Sequence, residues 1–450
     1  MRAARAMSTL PSTRPPLSNT AATACVLLAA LLLQLPLILN PGYFSHDELQ
    51  WAALANSSTP SPWLETSAFQ YRPLTFSLWM ALSRVLFDTP MLFHAVLVLW
   101  GALNAVALYW IAHGVGMPRW PAVFGALGFV LTPYAAYTHG WVGCMADLIW
   151  LSCALGIALL VQRARARWMA AIISATLTTL ALLGKEAAFA IPPLLALAWW
   201  LDRDSNRRPL WRAAMLAAGA VCAVYLDLRV DVLLHAPREG SQYTLRLAHV
   251  PQRWLEYQLF TPVVPLLETS TTLHRLRPLW LAGVLWLGLL AALWQTSRRL
   301  TALFLLGGFA ALLPVLALGS SWNHYAYGFA AITAMSVAAA WPHASRMGRV
   351  MIATFACLSA LHGASVMLRI QQVGNIQAVF SPALAHALRT HPGGITLQLA
   401  PDAKDWIFVR LTHSIPSYQG VAIGNRVRIV PADTPADYRI HADGTLQALR

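Results

Sequence analysis

The chain has 450 residues, of which 57% are hydrophobic and only 11% charged, with a mean hydropathy of +0.53. An ordinary soluble domain carries roughly a quarter charged residues, so this composition argues against a soluble fold. The net charge of +14 does not point to nucleic acid, because the arginines sit in short clusters between apolar runs and not along one basic face.

Residues 1–20 carry Arg2, Arg5 and Arg14 with no acidic residue, and Ser8 to Thr20 is rich in Pro, Ser and Thr, which predicts a disordered cytoplasmic leader. The first apolar run, Ala21 to Leu39, is long enough to cross the bilayer, and Asn40 to Phe44 lacks a small-x-small cleavage pattern. An uncleaved first helix is expected over a signal peptide. Similar runs recur about eleven times, each able to satisfy its own backbone in lipid. Their centres are Leu31, Val98, Gly128, Ala154, Thr176, Leu195, Val221, Leu285, Ala310, Ala334 and Ala360.

Every second connection between these runs is basic: Arg119; Arg163, Arg165 and Arg167; Arg203, Arg207, Arg208 and Arg212; Arg298 and Arg299; Arg346 and Arg349. Short cytoplasmic loops collect arginine, so this alternation places the N-terminus inside and the intervening loops outside. The expected organisation is a polytopic membrane domain over residues 21–370, with outer loops at 41–90 and 234–278, and a small outer domain over 371–450. Alternation in Ile395 to Leu399 and Val427 to Val430 predicts strands in that tail. The five cysteines are scattered through apolar runs without ligand spacing and read as packing residues. No repeat, heptad or low-complexity tract is visible.

Polar residues gather in the outer connections. Ser45-His46-Asp47-Glu48 follows the first run directly. It reads either as a helix cap, with Glu48 at the positive helix end, or as a carboxylate able to take a proton from an acceptor hydroxyl. Tyr71 and Arg72 read as an interfacial aromatic with a snorkelling arginine, or as a phosphate contact through the planar guanidinium. Lys185 and Glu186 interrupt two apolar runs, and Lys185 is one of two lysines in the chain. The two either pair with each other or mark a site, as ionisable groups at membrane depth do. Asp147 is a carboxylate within an apolar run, expected to face the bundle interior. Asn323, His324 and Tyr325 form a turn rich in donors and aromatic faces, resembling both a sugar pocket and an aromatic belt. His139 and His324 lack metal-ligand spacing and are favoured as ordinary hydrogen-bonded histidines.

In this order the motifs resemble the GT-C superfamily of integral-membrane glycosyltransferases, in particular its protein O-mannosyltransferase-like and tetratricopeptide-associated branches. The resemblance runs from about Leu31 to Trp341. It is carried by Asp47-Glu48, Tyr71-Arg72-Pro73-Leu74, the stretch Pro133 to Leu148 with Trp141 and Asp147, Lys185-Glu186 followed by Ile191-Pro192, and His324-Tyr325-Ala326-Tyr327. Met145 stands where relatives often carry an arginine. The resemblance implies an all-α polytopic membrane fold with a small C-terminal α/β segment. It also implies inverting transfer of a hexose or pentose from a polyprenyl-phosphate carrier to an acceptor outside the cytoplasmic membrane.

By the same resemblance Asp47 would be the base and Glu48 would assist it or position the acceptor. Arg72 and Lys185 would neutralise the departing phosphate, as developing negative charge requires. Tyr71, His139, Asp147, Glu186, Asn323, His324 and Tyr325 would line the substrate pocket. The expected partners are the lipid-linked donor, a lipid, polysaccharide or protein acceptor, and membrane lipids, with no nucleic acid. No cofactor is called for, and a divalent metal is compatible with the residues but not required by them. The rival readings are a transporter or flippase, a polysaccharide ligase or polymerase, and a non-catalytic assembly protein. The first should show internal symmetry and charges near the membrane midplane.

Overall fold

The computed structural model describes residues 18–55, 64–203, 205–235, 243–264, 266–274, 276–431 and 434–449. The expected leader therefore lies almost wholly outside the described residues, as do parts of both long outer loops. The described chain is mostly helical, with a small C-terminal sheet.

Six helical segments are long and apolar enough to cross a membrane: Pro90–Gly114, Val142–Arg163, Arg167–Gly184, Arg208–Leu234, Leu279–Thr296 and Arg346–Thr390. They carry six of the expected centres. The other five centres fall on shorter helices, Asn19–Leu33, Arg119–Val130, Ile191–Leu201, Gly308–Leu312 and Tyr327–Ala340. Local chemistry explains the shortening. The run from Ala21 to Leu39 breaks at Gln34, before Pro36, and Leu131-Thr132 separates Arg119–Val130 from a helix beginning at Pro133. A proline favours the first turn of a new helix over the interior of an old one.

A buried polar chain joins these broken segments. Gln34 donates to the Val130 carbonyl at 2.7 Å and its own carbonyl accepts from His139 Nδ1 at 2.9 Å. His139 Nε2 is thereby left as an acceptor for the Tyr327 hydroxyl at 2.7 Å, and Asn104 also donates to that hydroxyl. Ser152 donates to Asn104 at 2.7 Å, completing a line across six segments. Buried polar groups must be paired, so this chain fixes which helices are neighbours more tightly than apolar contact would.

The two ends of the bundle differ. Exposed Trp120, Trp168, Trp200, Trp294 and Trp341 lie beside the arginine clusters, and the guanidiniums of Arg208, Arg203 and Arg298 stand over Trp199, Trp200 and Trp294 at 5.0, 5.8 and 5.2 Å. Such arginine and tryptophan belts suit a membrane interface. Asp147, in the first turn of Met145–Arg163, is at the other end of its helix from Arg163, roughly 24 Å away at 1.5 Å per residue.

The last long helix runs on through the expected boundary at residue 371 to Thr390 and accommodates Pro382. Beyond it, strands β1 (Ile395–Leu399), β4 (Val427–Val430), β5 (Tyr438–Ile440) and β6 (Leu446–Ala448) form a sheet in the order β4-β1-β5-β6; β2 (Ser417–Tyr418) and β3 (Val421–Ala422) form a separate hairpin. The predicted strands at 395–399 and 427–430 are both present, and they pair with each other in parallel. The tail helix Asp405–Thr412 buries Ile407, Phe408 and Leu411, and the Phe408 ring meets Phe380 of the long helix at 5.1 Å.

Removing a buried phenylalanine typically costs about 3 kcal/mol or more. Phe408→Ala should therefore loosen the tail from the bundle, seen as faster limited proteolysis within residues 391–450 while the membrane helices stay protected. An unchanged cleavage pattern would show that the tail is held elsewhere.

Candidate active site

The acidic segment is placed by its approach loop. Tyr43 donates its backbone N–H to Gln377 at 2.9 Å and its hydroxyl to the Phe87 carbonyl at 2.6 Å, and His94 Nε2 is 2.9 Å from the Gly42 carbonyl. Gly42 lies directly against the Gly374 carbonyl, with no room for a Cβ. The loop then enters the helix His46–Ala55 through Ser45-His46-Asp47-Glu48, where Glu48 reaches back to the Ser45 N–H at 2.6 Å. That is the carboxylate half of a capping box.

The two acids consequently separate. Glu48 is fully buried, and its second oxygen accepts the Val142 N–H at 3.0 Å, so both oxygens are occupied by backbone. Burial raises its pKa to about 8, against the pull of these two N–H donors. Asp47 is partly exposed, with Oδ1 3.1 Å from His46 Nε2. Desolvation raises its pKa too, while His46, Arg410 and His413 pull it back. The resemblance assigns both acids to catalysis; the structure leaves Asp47 partly exposed and buries Glu48 in the protein.

Two ion pairs form the opposite wall. Pro73 opens the helix Pro73–Leu86 and leaves Arg72 at its cap, where Nε and Nη2 approach Glu186 Oε2 at 2.9 and 2.7 Å. Lys185 is the extended residue after Arg167–Gly184, so its side chain leaves the helix line and meets both oxygens of Asp147 at 2.8 and 2.6 Å. Thr75 holds this corner by donating to the Gly184 carbonyl at 2.8 Å. Lys185 and Glu186 do not pair with each other; each takes a partner distant in sequence.

An aromatic wall connects the pairs to the acidic helix. Lys185 Nζ stands 4.9 Å from the Tyr325 ring centre, Tyr325 meets His324 at 4.5 Å, and His324 meets Trp141 at 5.4 Å. Trp141 meets Phe44 at 6.3 Å, next to Ser45. Burial, reinforced by Lys185 and Arg72, holds His324 well below its ordinary pKa, so the ring is neutral. Trp141 Nε1, His324 Nδ1 and Glu186 Oε1 are buried polar atoms with no protein partner among the described residues, which is how ligand-binding groups look without a ligand.

His139 and Asn323 sit apart from this wall. His139 has both ring nitrogens engaged in the buried polar chain. Asn323 accepts from the N–H and hydroxyl of Thr269, each at 2.8 Å, and donates to Leu267 at 2.8 Å, which holds the outer turn to the loop before it. Tyr71 instead lies under Arg229, at 5.2 Å, and lines an apolar groove of about 860 Å³ with Leu182, Leu183, Val221, Val224 and Tyr225. Met145 is fully buried. Among the described residues no group of three or more histidine, cysteine or carboxylate side chains is arranged to hold a metal ion.

Three residues of this region were not signalled by the sequence. Arg229 donates to the carbonyls of Thr66, Ala68 and Phe69. Arg410 and His413 come from the tail: the Arg410 guanidinium stands 4.4 Å from the Phe44 ring, and the His413 ring is 5.2 Å from His46. No local motif marks them, because their positions depend on how the tail docks.

No family model and no curated protein matches the chain. Among solved structures, it is similar to the crystal structure of the Archaeoglobus fulgidus oligosaccharyltransferase tethered with an acceptor peptide, at 15% identity and a TM-score of 0.46. The match covers 93% of this chain and spans 64% of that protein's length. A likeness this loose assigns neither fold nor activity.

The raised pKa of Glu48 sets a pH dependence. Its folded value exceeds the ordinary 4.5, so its stabilising contribution is full below that value and is lost as pH rises through about 8. Thermal unfolding of the detergent-solubilised chain should show the midpoint falling between pH about 5 and about 9, and Glu48→Gln should flatten that slope. An equally steep slope in the variant would remove Glu48 as its source.

The Lys185 and Asp147 pair gives a second outcome. Breaking a buried pair from one side costs roughly 3–5 kcal/mol, while replacing both partners by apolar groups costs much less. Lys185→Met should therefore destabilise strongly, and adding Asp147→Leu should recover most of the loss in the same unfolding assay. Additive losses would show that the two charges do not depend on each other.

Proposed function

We propose that this chain is a multi-pass membrane glycosyltransferase of the GT-C kind, which moves a sugar from a polyprenyl-phosphate carrier to an acceptor at the outer face of the cytoplasmic membrane. One observation carries the reading. A partly exposed carboxylate, Asp47, is joined through a wall of aromatic rings and unpartnered polar atoms to two cationic side chains, Arg72 and Lys185, at the end of the bundle away from the arginine and tryptophan belt.

The chemistry fits these parts. The acceptor hydroxyl oxygen attacks the anomeric carbon, and Asp47 takes its proton as the new bond forms. The bond from that carbon to the phosphate oxygen breaks, and the lipid phosphate departs with the electron pair on the side opposite the attack, which inverts the anomeric centre. Among the described residues Arg72 binds its carboxylate through Nε and Nη2 and Lys185 through two contacts, so Nη1 and a third N–H are left to donate to the leaving phosphate. Trp141, His324 and Tyr325 suit the sugar, offering aromatic faces and neutral hydrogen-bonding atoms. The apolar groove beside Tyr71 would take the start of the polyprenyl chain, since it adjoins Arg72 and has exposed Val224 and Leu228 on its flank.

Asp47→Asn keeps size and polarity but cannot accept the proton. In membranes supplied with lipid-linked sugar, glycan transfer should fall by roughly 10²- to 10⁴-fold while the variant remains inserted and folded. Full activity would remove Asp47 as the base.

A further inference from the structure

The two cations opposite Asp47 are already balanced. Lys185 meets both oxygens of Asp147, and Arg72 meets Glu186, so the four groups together carry no net charge. An anion that displaced Asp147 would strand it buried and unpaired, a costly exchange, and one that displaced Glu186 would have to break two contacts shorter than 3 Å. A site for a phosphate needs a cation that can turn toward it without leaving a buried charge behind.

Arg410 has that character. It lies on the tail helix Asp405–Thr412, at the edge of the face that docks the tail, one turn from the buried Ile407. Its guanidinium is held between rings, 4.4 Å from Phe44 and 5.9 Å from Trp141. Its direct polar contacts among the described residues are long, Nε to Ser45 Oγ at 3.4 Å and Nη1 to Glu268 Oε1 at 3.5 Å, with Glu268 partly exposed, and its charge also faces Tyr137, Glu48 and the partly exposed Asp47. Loosening these contacts leaves Glu268 within reach of water. The unpartnered Nε1 of Trp141 and the neutral His324 ring lie along the same wall.

We propose that Arg410 receives the phosphate of the lipid-linked donor, so that the tail domain is a required part of the site and not an appended module. The inference rests on the glycosyltransferase reading for the identity of the anion. Stacking on Phe44 pre-orients the planar guanidinium, whose paired N–H groups match two phosphate oxygens. Arg72 and Lys185 then act on the charge that develops as the sugar leaves, whereas Arg410 acts from the moment of binding.

The test uses the full chain in detergent, with polyprenyl phosphate as probe and quenching of intrinsic tryptophan fluorescence as readout. Arg410→Gln should weaken binding about tenfold, as expected for loss of one charge-assisted contact, and Arg410→Lys should retain most of the affinity. The exposed strand variant Arg428→Gln should bind like the wild type. Uncharged polyprenol is the control: its weaker binding should be the same in all four proteins. Equal affinity for the phosphate in Arg410→Gln, or an equal loss for polyprenol, would overturn the assignment. Wild-type protein that fails to bind the phosphate would overturn the donor reading as well, whereas wild-type binding with no effect at Arg410 would leave that reading standing.

Discussion

A carboxyl group buried away from water must be hydrogen-bonded, and Glu48 finds donors in two backbone N–H groups almost a hundred residues apart. One belongs to Ser45, at the start of its own helix, and the other to Val142, where Pro133–Gly140 has ended and the next long helix is about to begin. This single side chain ties the acidic helix to the break that sets the direction of Met145–Arg163. Asp147 lies one turn beyond that break, so the same contact aligns Asp47 with the ion pair at Lys185. The capping residue of one helix is in this way the ruler for the whole site.

The charges of the site follow from the cost of burial. An isolated ion in an apolar bundle would neutralise or destabilise it, so Lys185 and Arg72 each arrive with an anion from a distant part of the chain. Arg72 with Glu186 and Lys185 with Asp147 bring together three stretches of chain, separated by up to 114 positions. A third ion pair, Arg253 with Glu256, lies under the outer turn, where Ser321 also donates to Glu256 at 2.6 Å. These pairs make a rigid, nearly neutral frame. Arg410 stands outside that frame, its polar contacts at 3.4 and 3.5 Å being longer than those of the pairs.

The parts of this design that were legible in the sequence are those with a local cause. Apolar runs show as helices because length and hydropathy act within each segment, and all eleven expected centres lie in helices. The β-period in Ile395 to Leu399 and Val427 to Val430 shows as strands for the same reason. Lengths were less legible: Gln34 with Pro36, and Thr132 with Pro133, cut apolar runs that a hydropathy window reads as continuous. At the site, Ser45-x-x-Glu48 was visible as a capping signal, and Asp47, Arg72 and Lys185 were visible as charges in apolar surroundings. Their pairing was not, because Lys185 and Glu186 are adjacent in sequence but diverge where the chain changes from helix to extended backbone. Arg410 and His413 had no local signal at all. Only the docking of Phe408 on Phe380 brings them to the acidic helix.

The depth of the charges separates the transferase reading from a transporter. A transporter holds its substrate near the membrane midplane, at broken helices related by internal symmetry. Here Asp147 occupies the first turn of its helix, Lys185 directly follows the end of another, and Arg72 caps a third. All three lie at helix ends, and the long helix that carries Asp147 has its arginine at the far end. Charges so placed can meet a phosphate at the membrane surface while the attached chain stays in the apolar region. They cannot hand a substrate from one side to the other without crossing the roughly 24 Å of apolar helix between Asp147 and Arg163. The one-sided distribution therefore favours chemistry at a boundary over passage through it, and it explains why a tail domain at that same boundary can supply side chains to the site.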